Sequence, residues 1–99
     1  MYFEEVILDL NKQAMDCLND ERTVPQTLKL LQKADKLLEK SGKTSDTYWI
    51  QSITLNNFGC YYKKVGKPNS ALKFLNQALN LEMKSGQEAI AIAGTRLNM

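Results

Sequence analysis

Side chains that commonly do chemistry are scarce in this chain. It contains no histidine, which is the commonest general base and the commonest zinc ligand. The two cysteines, Cys17 and Cys60, stand alone, and acidic pairs such as Glu4-Glu5 fall at predicted helix ends. Neither a phosphate-binding loop of the Gly-x-x-x-x-Gly-Lys type nor a serine elbow occurs. We therefore expect no catalytic residues, no metal site and no cofactor, and we do not expect an enzyme.

Charge and hydropathy narrow the class of partner. The net charge is only +2, whereas a general nucleic-acid binder would show a strong basic excess. No apolar run is long enough to span a membrane. The acidic start MYFEE does not resemble a signal peptide, and two isolated cysteines fit reduced thiols in the cytosol. The expectation is a cytoplasmic protein that binds neither nucleic acid nor membrane.

Apolar residues recur at helical spacing along the chain, which predicts an all-α fold. The first two helices are expected at about 3–20 and 25–41. A third follows candidate N-caps in 44–47 and runs to about 65, a fourth covers 68–85, and a fifth begins near 88. Pro25 and Pro68 suit first turns, while Gly42 and Gly86 suit helix ends.

The chain contains an internal repeat. Residues 27–42 align without a gap with residues 71–86, which lie 44 residues later, and half of the aligned positions are identical. The preceding helices align too, because Leu10-Asn11 matches Leu55-Asn56, and Leu97-Asn98 matches it again. Ala14 then falls where Gly59 stands. Two helix pairs and the first helix of a third are therefore predicted.

The segment from Thr54 to Gly86 resembles a tetratricopeptide repeat. Its small residues Gly59, Ala71 and Ala78 fall where two helices of such a unit touch, and its Leu-Asn-Asn start is most similar to kinesin light chain units. Met83 stands in place of the usual closing proline, and the first unit has Ala14 and Cys17 in place of the glycine and the tyrosine.

The resemblance implies a right-handed α-solenoid of antiparallel helix pairs. Its units would cover about 3–42 and 46–86, the first helix of a third would cover about 87–99, and the chain would belong to a longer array.

The resemblance also implies a binding surface, because the first helix of each unit lines the concave face of such arrays. The partner-binding residues expected there are Ile53, Asn56, Asn57, Cys60, Lys63, Lys64, Asn11, Met15 and Asn98. Leu8, Lys12 and Leu18 are further helix-one counterparts. Asparagine amides can donate to and accept from a peptide backbone of any sequence, although solvated surface asparagines are the alternative interpretation.

Two more specific site hypotheses follow from the same surface. Lys63, Lys64 and Lys67, together with Arg96, form a basic edge that either solubilises the helix end or attracts an acidic peptide. Cys60 is either redox-sensitive beside these lysines or an inert packed thiol.

The function predicted from the sequence is a non-catalytic module or scaffold that binds a peptide or a partner helix on the concave face. The alternative is a structural segment of a larger cytoskeletal, ciliary or motor assembly that packs through its outer or end surfaces. The apolar fifth helix predicts self-association or continuation of the array at that end.

Overall fold

Four helices make up the part of the chain that the computed structural model describes, residues 2–42, 44 and 47–85. They are α1 (Tyr2–Leu18), α2 (Val24–Lys40), α3 (Tyr48–Lys64) and α4 (Pro68–Ser85). The all-α prediction is confirmed, and the predicted limits of these helices differ from the observed ones by only one or two residues. The predicted fifth helix and Asn98 lie outside the described residues.

Glycines end α2 and α3 because both adopt a left-handed backbone, with φ of 96° at Gly42 and 79° at Gly66. After α3, the Lys67 N–H donates to the Tyr62 carbonyl at 2.8 Å, and the Gly66 N–H donates to the Lys63 carbonyl at 3.3 Å. This pair of bonds is a Schellman motif, and it satisfies carbonyls that the helix end would leave without a partner.

The start of α3 differs from the capping that the sequence predicts. Thr47 occupies the N-cap position, but its side chain makes no capping hydrogen bond. Its hydroxyl instead donates to the Thr44 carbonyl at 2.9 Å and accepts from Gln51 Nε2 at 2.8 Å. The hydroxyl therefore closes the preceding turn and does not cap α3.

The two helices of each pair approach each other most closely at small residues. A Cβ placed on Gly59 would lie 2.6 Å from Leu75 Cγ and 3.4 Å from the Ala71 carbonyl oxygen, so any larger residue at position 59 would force the Leu75 side chain to shift. In the first pair, the Thr27 hydroxyl donates to the Ala14 carbonyl at 3.2 Å. Ala14 and Thr27 are both fully buried. The predicted close approach of Gly59 to Ala71 is therefore present, and in the first pair Thr27 makes the close contact with Ala14.

The second pair stacks on the first through α3, which packs against both α1 and α2. Two buried clusters lie between the pairs. The first consists of Ile7, Leu10, Ala34, Leu38 and Ile50, and the second of Ala14, Leu31 and Phe58. Phe74 of α4 stacks on Phe58 and on Tyr62, with ring centroids 5.0 and 5.4 Å apart. These contacts join all four helices.

Three large apolar residues of α3 and α4 are exposed. Trp49 is 37% exposed, Leu72 is 45% exposed and Met83 is 61% exposed. Helical periodicity assigns such residues to an apolar stripe along the helix. When the stripe is wider than the surface that an adjacent helix covers, the residues at its edge stay exposed.

Candidate functional site

A buried hydrogen-bond network joins the first helices of the two pairs. Asn57 Nδ2 donates to Asn11 Oδ1 at 2.8 Å, and Asn11 Nδ2 donates to Thr54 Oγ1 and to the Ile7 carbonyl, each at 3.0 Å. The Thr54 hydroxyl in turn donates to the Ile50 carbonyl at 3.0 Å. The two bonds between α1 and α3 connect residues that are 43 and 46 positions apart in the sequence. The repeat offset of 44 residues lies between these two values. α1 and α3 run parallel, because Ile7 and Leu10 share a core cluster with Ile50, and Ala14, further along α1, shares one with Phe58, further along α3.

This network gives two of the predicted binding residues a structural role. Asn11 is 3% exposed and Asn57 is 8% exposed, and their amides are directed at each other. A buried amide satisfied in this way holds one helix against the next, since breaking the pair would leave a desolvated polar group. Their predicted contact with a peptide backbone stays a prediction, while Asn56, which is half-buried, lies one residue along the same helix.

Three other predicted residues meet in one depression between the C-terminal ends of α1 and α3. Cys60, Lys63 and Lys64 line it from α3, and Leu18 and Asn19 line it from the end of α1. The depression has a volume of about 280 Å³. We call the surface formed by these five residues the α1–α3 groove.

The remaining predicted residues lie elsewhere. Ile53 is half-buried on α3, and Met15 is half-buried and packs against the second core cluster. Asn98 lies outside the described residues. The sequence prediction missed Asn19, because it follows the last residue of α1 and its sequence signals only a turn.

The groove carries positive charge on its α3 side. Lys63 and Lys64 are exposed in the last turn of α3, where cations also interact favourably with the helix dipole. On the α1 side, Asp20 follows Asn19 and pairs with the Arg22 guanidinium at 3.1 Å. The side-chain hydrogen bond from Arg22 lowers the pKa of Asp20. The Asp20 carboxylate near the groove is thus already paired with Arg22 of the same loop.

Cys60 forms part of the groove lining as a neutral thiol. Burial raises the pKa of Cys60, and the positive charge of Lys63 opposes this effect only in part. Because the thiolate is the reactive form, this environment favours the inert-thiol interpretation over the redox-sensitive one.

Neither metal coordination nor a membrane span is evident in residues 2–42, 44 and 47–85. No group of three or more cysteine or acidic side chains in these ranges could hold a metal ion. None of the helices α1 to α4 is long and apolar enough to cross a membrane.

Comparisons with protein-family models, with curated proteins and with solved structures found no match to this chain. The resemblance to tetratricopeptide repeats therefore rests on the sequence pattern.

Proposed function

We propose that this protein is a non-catalytic interaction module that binds a peptide or a partner helix in the α1–α3 groove, in the manner of tetratricopeptide arrays. The single observation that carries the proposal is the groove itself: parallel α1 and α3 leave an open depression lined by Leu18, Asn19, Cys60 and two exposed lysines. Binding sites are usually concave and mostly apolar, with a few polar groups that orient the ligand.

The charge on the groove favours a peptide with acidic residues. Lys63 and Lys64 lie on one wall, and the carboxylate of Asp20, which follows Asn19 of the other wall, is paired with Arg22. Complementary charge of this kind raises association rates and selects partners more than it adds affinity. A cytoplasmic peptide or an exposed partner helix with acidic side chains fits this surface.

A peptide-display selection against the immobilised protein tests the proposal. Selected peptides are measured by fluorescence polarisation against the natural protein and against a Lys63→Glu/Lys64→Glu variant. The matched control is Lys33→Glu/Lys36→Glu, which makes the same change of charge on exposed positions of α2.

We expect acidic residues to be enriched among the selected peptides. Reversing the groove charge is expected to weaken binding about tenfold or more, which is about 1.4 kcal/mol. The α2 control is expected to bind within about twofold of the natural protein, because surface charges more than a Debye length away are screened. Equal losses in both variants, or no loss in the groove variant, would exclude the groove as the binding site.

The outer surface of α4 supports the second candidate function, a structural segment of a larger assembly. Leu72 and Met83 are exposed on this helix at positions 11 residues apart, which places them on one side of it. Changing both to glutamine in the context of the assembled complex would release the protein if this surface packs on a neighbour. Peptide binding in the groove would be unchanged.

A further inference from the structure

Four lysines form one straight stripe along α2. Their spacing of four, three and four residues puts them on the same side of the helix, and all four are exposed. They are Lys29, Lys33, Lys36 and Lys40. The stripe is about 16 Å long, because an α-helix rises about 1.5 Å per residue. We call it the α2 lysine stripe, and it is a concentration of positive charge that the net charge of +2 conceals.

The acidic residues of α2 lie off this stripe. Asp35 and Glu39 each precede a stripe lysine by one residue, which rotates them by roughly 100° around the helix. Both already make interactions of their own. Of the large apolar side chains that are exposed in the described chain, none belongs to α2. A helix that binds a membrane surface inserts such side chains, so the stripe fits an acidic protein surface better than a lipid surface.

An acidic stripe with the same spacing lies on α1. It consists of Glu5, Asp9 and Asp16, with Lys12 at the remaining position, and all four side chains are exposed. Its ends are 11 residues apart, as are those of the α2 lysine stripe, so the two stripes are equally long. Asp9 accepts a hydrogen bond from Gln13 Nε2 at 2.6 Å, and this neutral donor leaves the negative charge of Asp9 in place. We call this surface the α1 acidic stripe.

The internal repeat shows that these acidic residues stand at positions that serve packing in the second pair. In the repeat alignment, Glu5 corresponds to Ile50 and Asp9 to Thr54. Ile50 and Thr54 are buried where α3 packs on the first pair. The same side of α1 is exposed and charged, so it is not built for apolar packing against another helix pair. Its chemistry fits a basic surface of complementary charge.

The two stripes cannot pair within one molecule. α1 and α2 pack through Ala14 and Thr27, each two residues before a stripe residue and therefore on roughly the opposite side of its helix. We propose that the α2 lysine stripe of one copy of this chain binds the α1 acidic stripe of a second copy. The contact joins different surfaces of the two copies, so assembly continues beyond the dimer unless a ring closes. Both surfaces are distinct from the α1–α3 groove, and this self-association is independent of peptide binding.

Sedimentation equilibrium at protein concentrations up to about 1 mM tests the proposal. Exposed ion pairs are individually weak and are screened by salt, so we expect association at an ionic strength of about 0.01 M and its loss at about 0.15 M. Lys33→Glu/Lys36→Glu is expected to lower the association constant about tenfold or more at low ionic strength. The matched control is Lys63→Glu/Lys64→Glu, which makes the same change of charge in the groove and is expected to associate within about twofold of the natural protein.

Mixing two neutralised variants identifies the paired surfaces. Lys33→Gln/Lys36→Gln keeps the α1 acidic stripe, and Glu5→Gln/Asp9→Asn keeps the α2 lysine stripe. Each variant alone is expected to associate weakly, whereas their mixture is expected to form a one-to-one complex through the two intact stripes. The first variant has no net charge and the second is net positive, so overall attraction cannot produce this result.

Three results would overturn the proposal. The first is a natural protein that stays monomeric at low ionic strength. The second is a groove control that loses as much association as the α2 variant, or a mixture that associates no better than its components. The third is binding of the monomeric protein to phosphatidylserine vesicles that depends on Lys33 and Lys36 without self-association, which would assign the α2 lysine stripe to a lipid surface.

Discussion

Replacing Asn57 by aspartate tests whether the buried amide pair holds α1 against α3. Asn57 Nδ2 donates to Asn11 Oδ1 at 2.8 Å, and both side chains are buried. In the Asn57→Asp variant, an ionised carboxylate would face that carbonyl oxygen without a hydrogen to donate. The substitution keeps the size and shape of the side chain, so its effect reports the hydrogen bond and the charge and not the packing.

The expected loss of stability can be worked from these contacts. The missing hydrogen bond costs about 1 kcal/mol. Burial and the facing oxygen raise the pKa of the introduced carboxyl, and a rise of about two units costs about 2.7 kcal/mol at neutral pH. We therefore expect the free energy of unfolding to fall by about 3 to 4 kcal/mol at about pH 7. Domains are commonly stable by about 5–15 kcal/mol, so the loss is measurable by urea denaturation.

The sign of the pH dependence follows from the raised folded-state pKa. The penalty is absent below the unfolded-state pKa of about 3.9, where the protonated carboxyl can donate to Asn11, and it grows as the pH rises through the folded-state value. The stability difference between the variant and the natural protein should therefore shrink to less than about 1 kcal/mol at about pH 3.5.

Asn76→Asp is the matched control, since Asn76 is exposed on α4. We expect this control to change the free energy of unfolding by less than about 0.5 kcal/mol at either pH. A loss in Asn57→Asp that is no larger than in the control, or a loss that does not change with pH, would refute the structural role of the pair. Asn57 would then return to the list of residues free to bind a ligand.

Three further predictions concern single sites. Gly59→Ala introduces a Cβ only 2.6 Å from Leu75 Cγ, so overpacking of about 1 to 3 kcal/mol opposes a helix-propensity gain of about 1 kcal/mol. In a double-mutant cycle of Gly59→Ala with Leu75→Ala, measured by urea denaturation, the free energies of unfolding should show a coupling energy of at least about 1 kcal/mol. Additive losses of stability would contradict the close approach of the two residues. Gly66→Ala should cost about 1 to 2 kcal/mol through its backbone alone, because φ is 79° and no atom lies within 4 Å of the added Cβ; an unchanged urea midpoint would contradict this. In a Cys17→Ser background, Cys60 should react with iodoacetamide at a higher pH midpoint than free cysteine, because burial raises its pKa, and a lower midpoint would contradict the inert-thiol interpretation.

Local patterns in the sequence account for the helices. Apolar spacing predicts α1 to α4, Pro25 lies in the first turn of α2, and the glycines at 42 and 66 terminate helices with positive φ. These features depend on neighbouring residues only, so the sequence alone carries them. The internal repeat goes further, because it predicts that α1 and α3 are equivalent helices, and the bonds between them fall at the spacing of the repeat.

The candidate site was predicted less completely. The family resemblance places Cys60, Lys63 and Lys64 on one predicted surface of the third helix, and the structure brings them together in one depression with Leu18 and Asn19. The repeat register predicted ligand binding for Asn11, and the family resemblance predicted it for Asn57, because a polar residue on a helix surface gives no sign of what faces it.

What the sequence by itself determined, then, is the set of helices, their close contacts at small residues and the scarcity of reactive side chains. Only the tertiary structure decided which polar groups face each other across helices. Asn11 and Asn57 are 46 positions apart, and their bond depends on how two separately specified helices approach and rotate. The same holds for the 37% exposure of Trp49, because periodicity in the sequence does not determine which part of a helix surface a neighbouring helix covers.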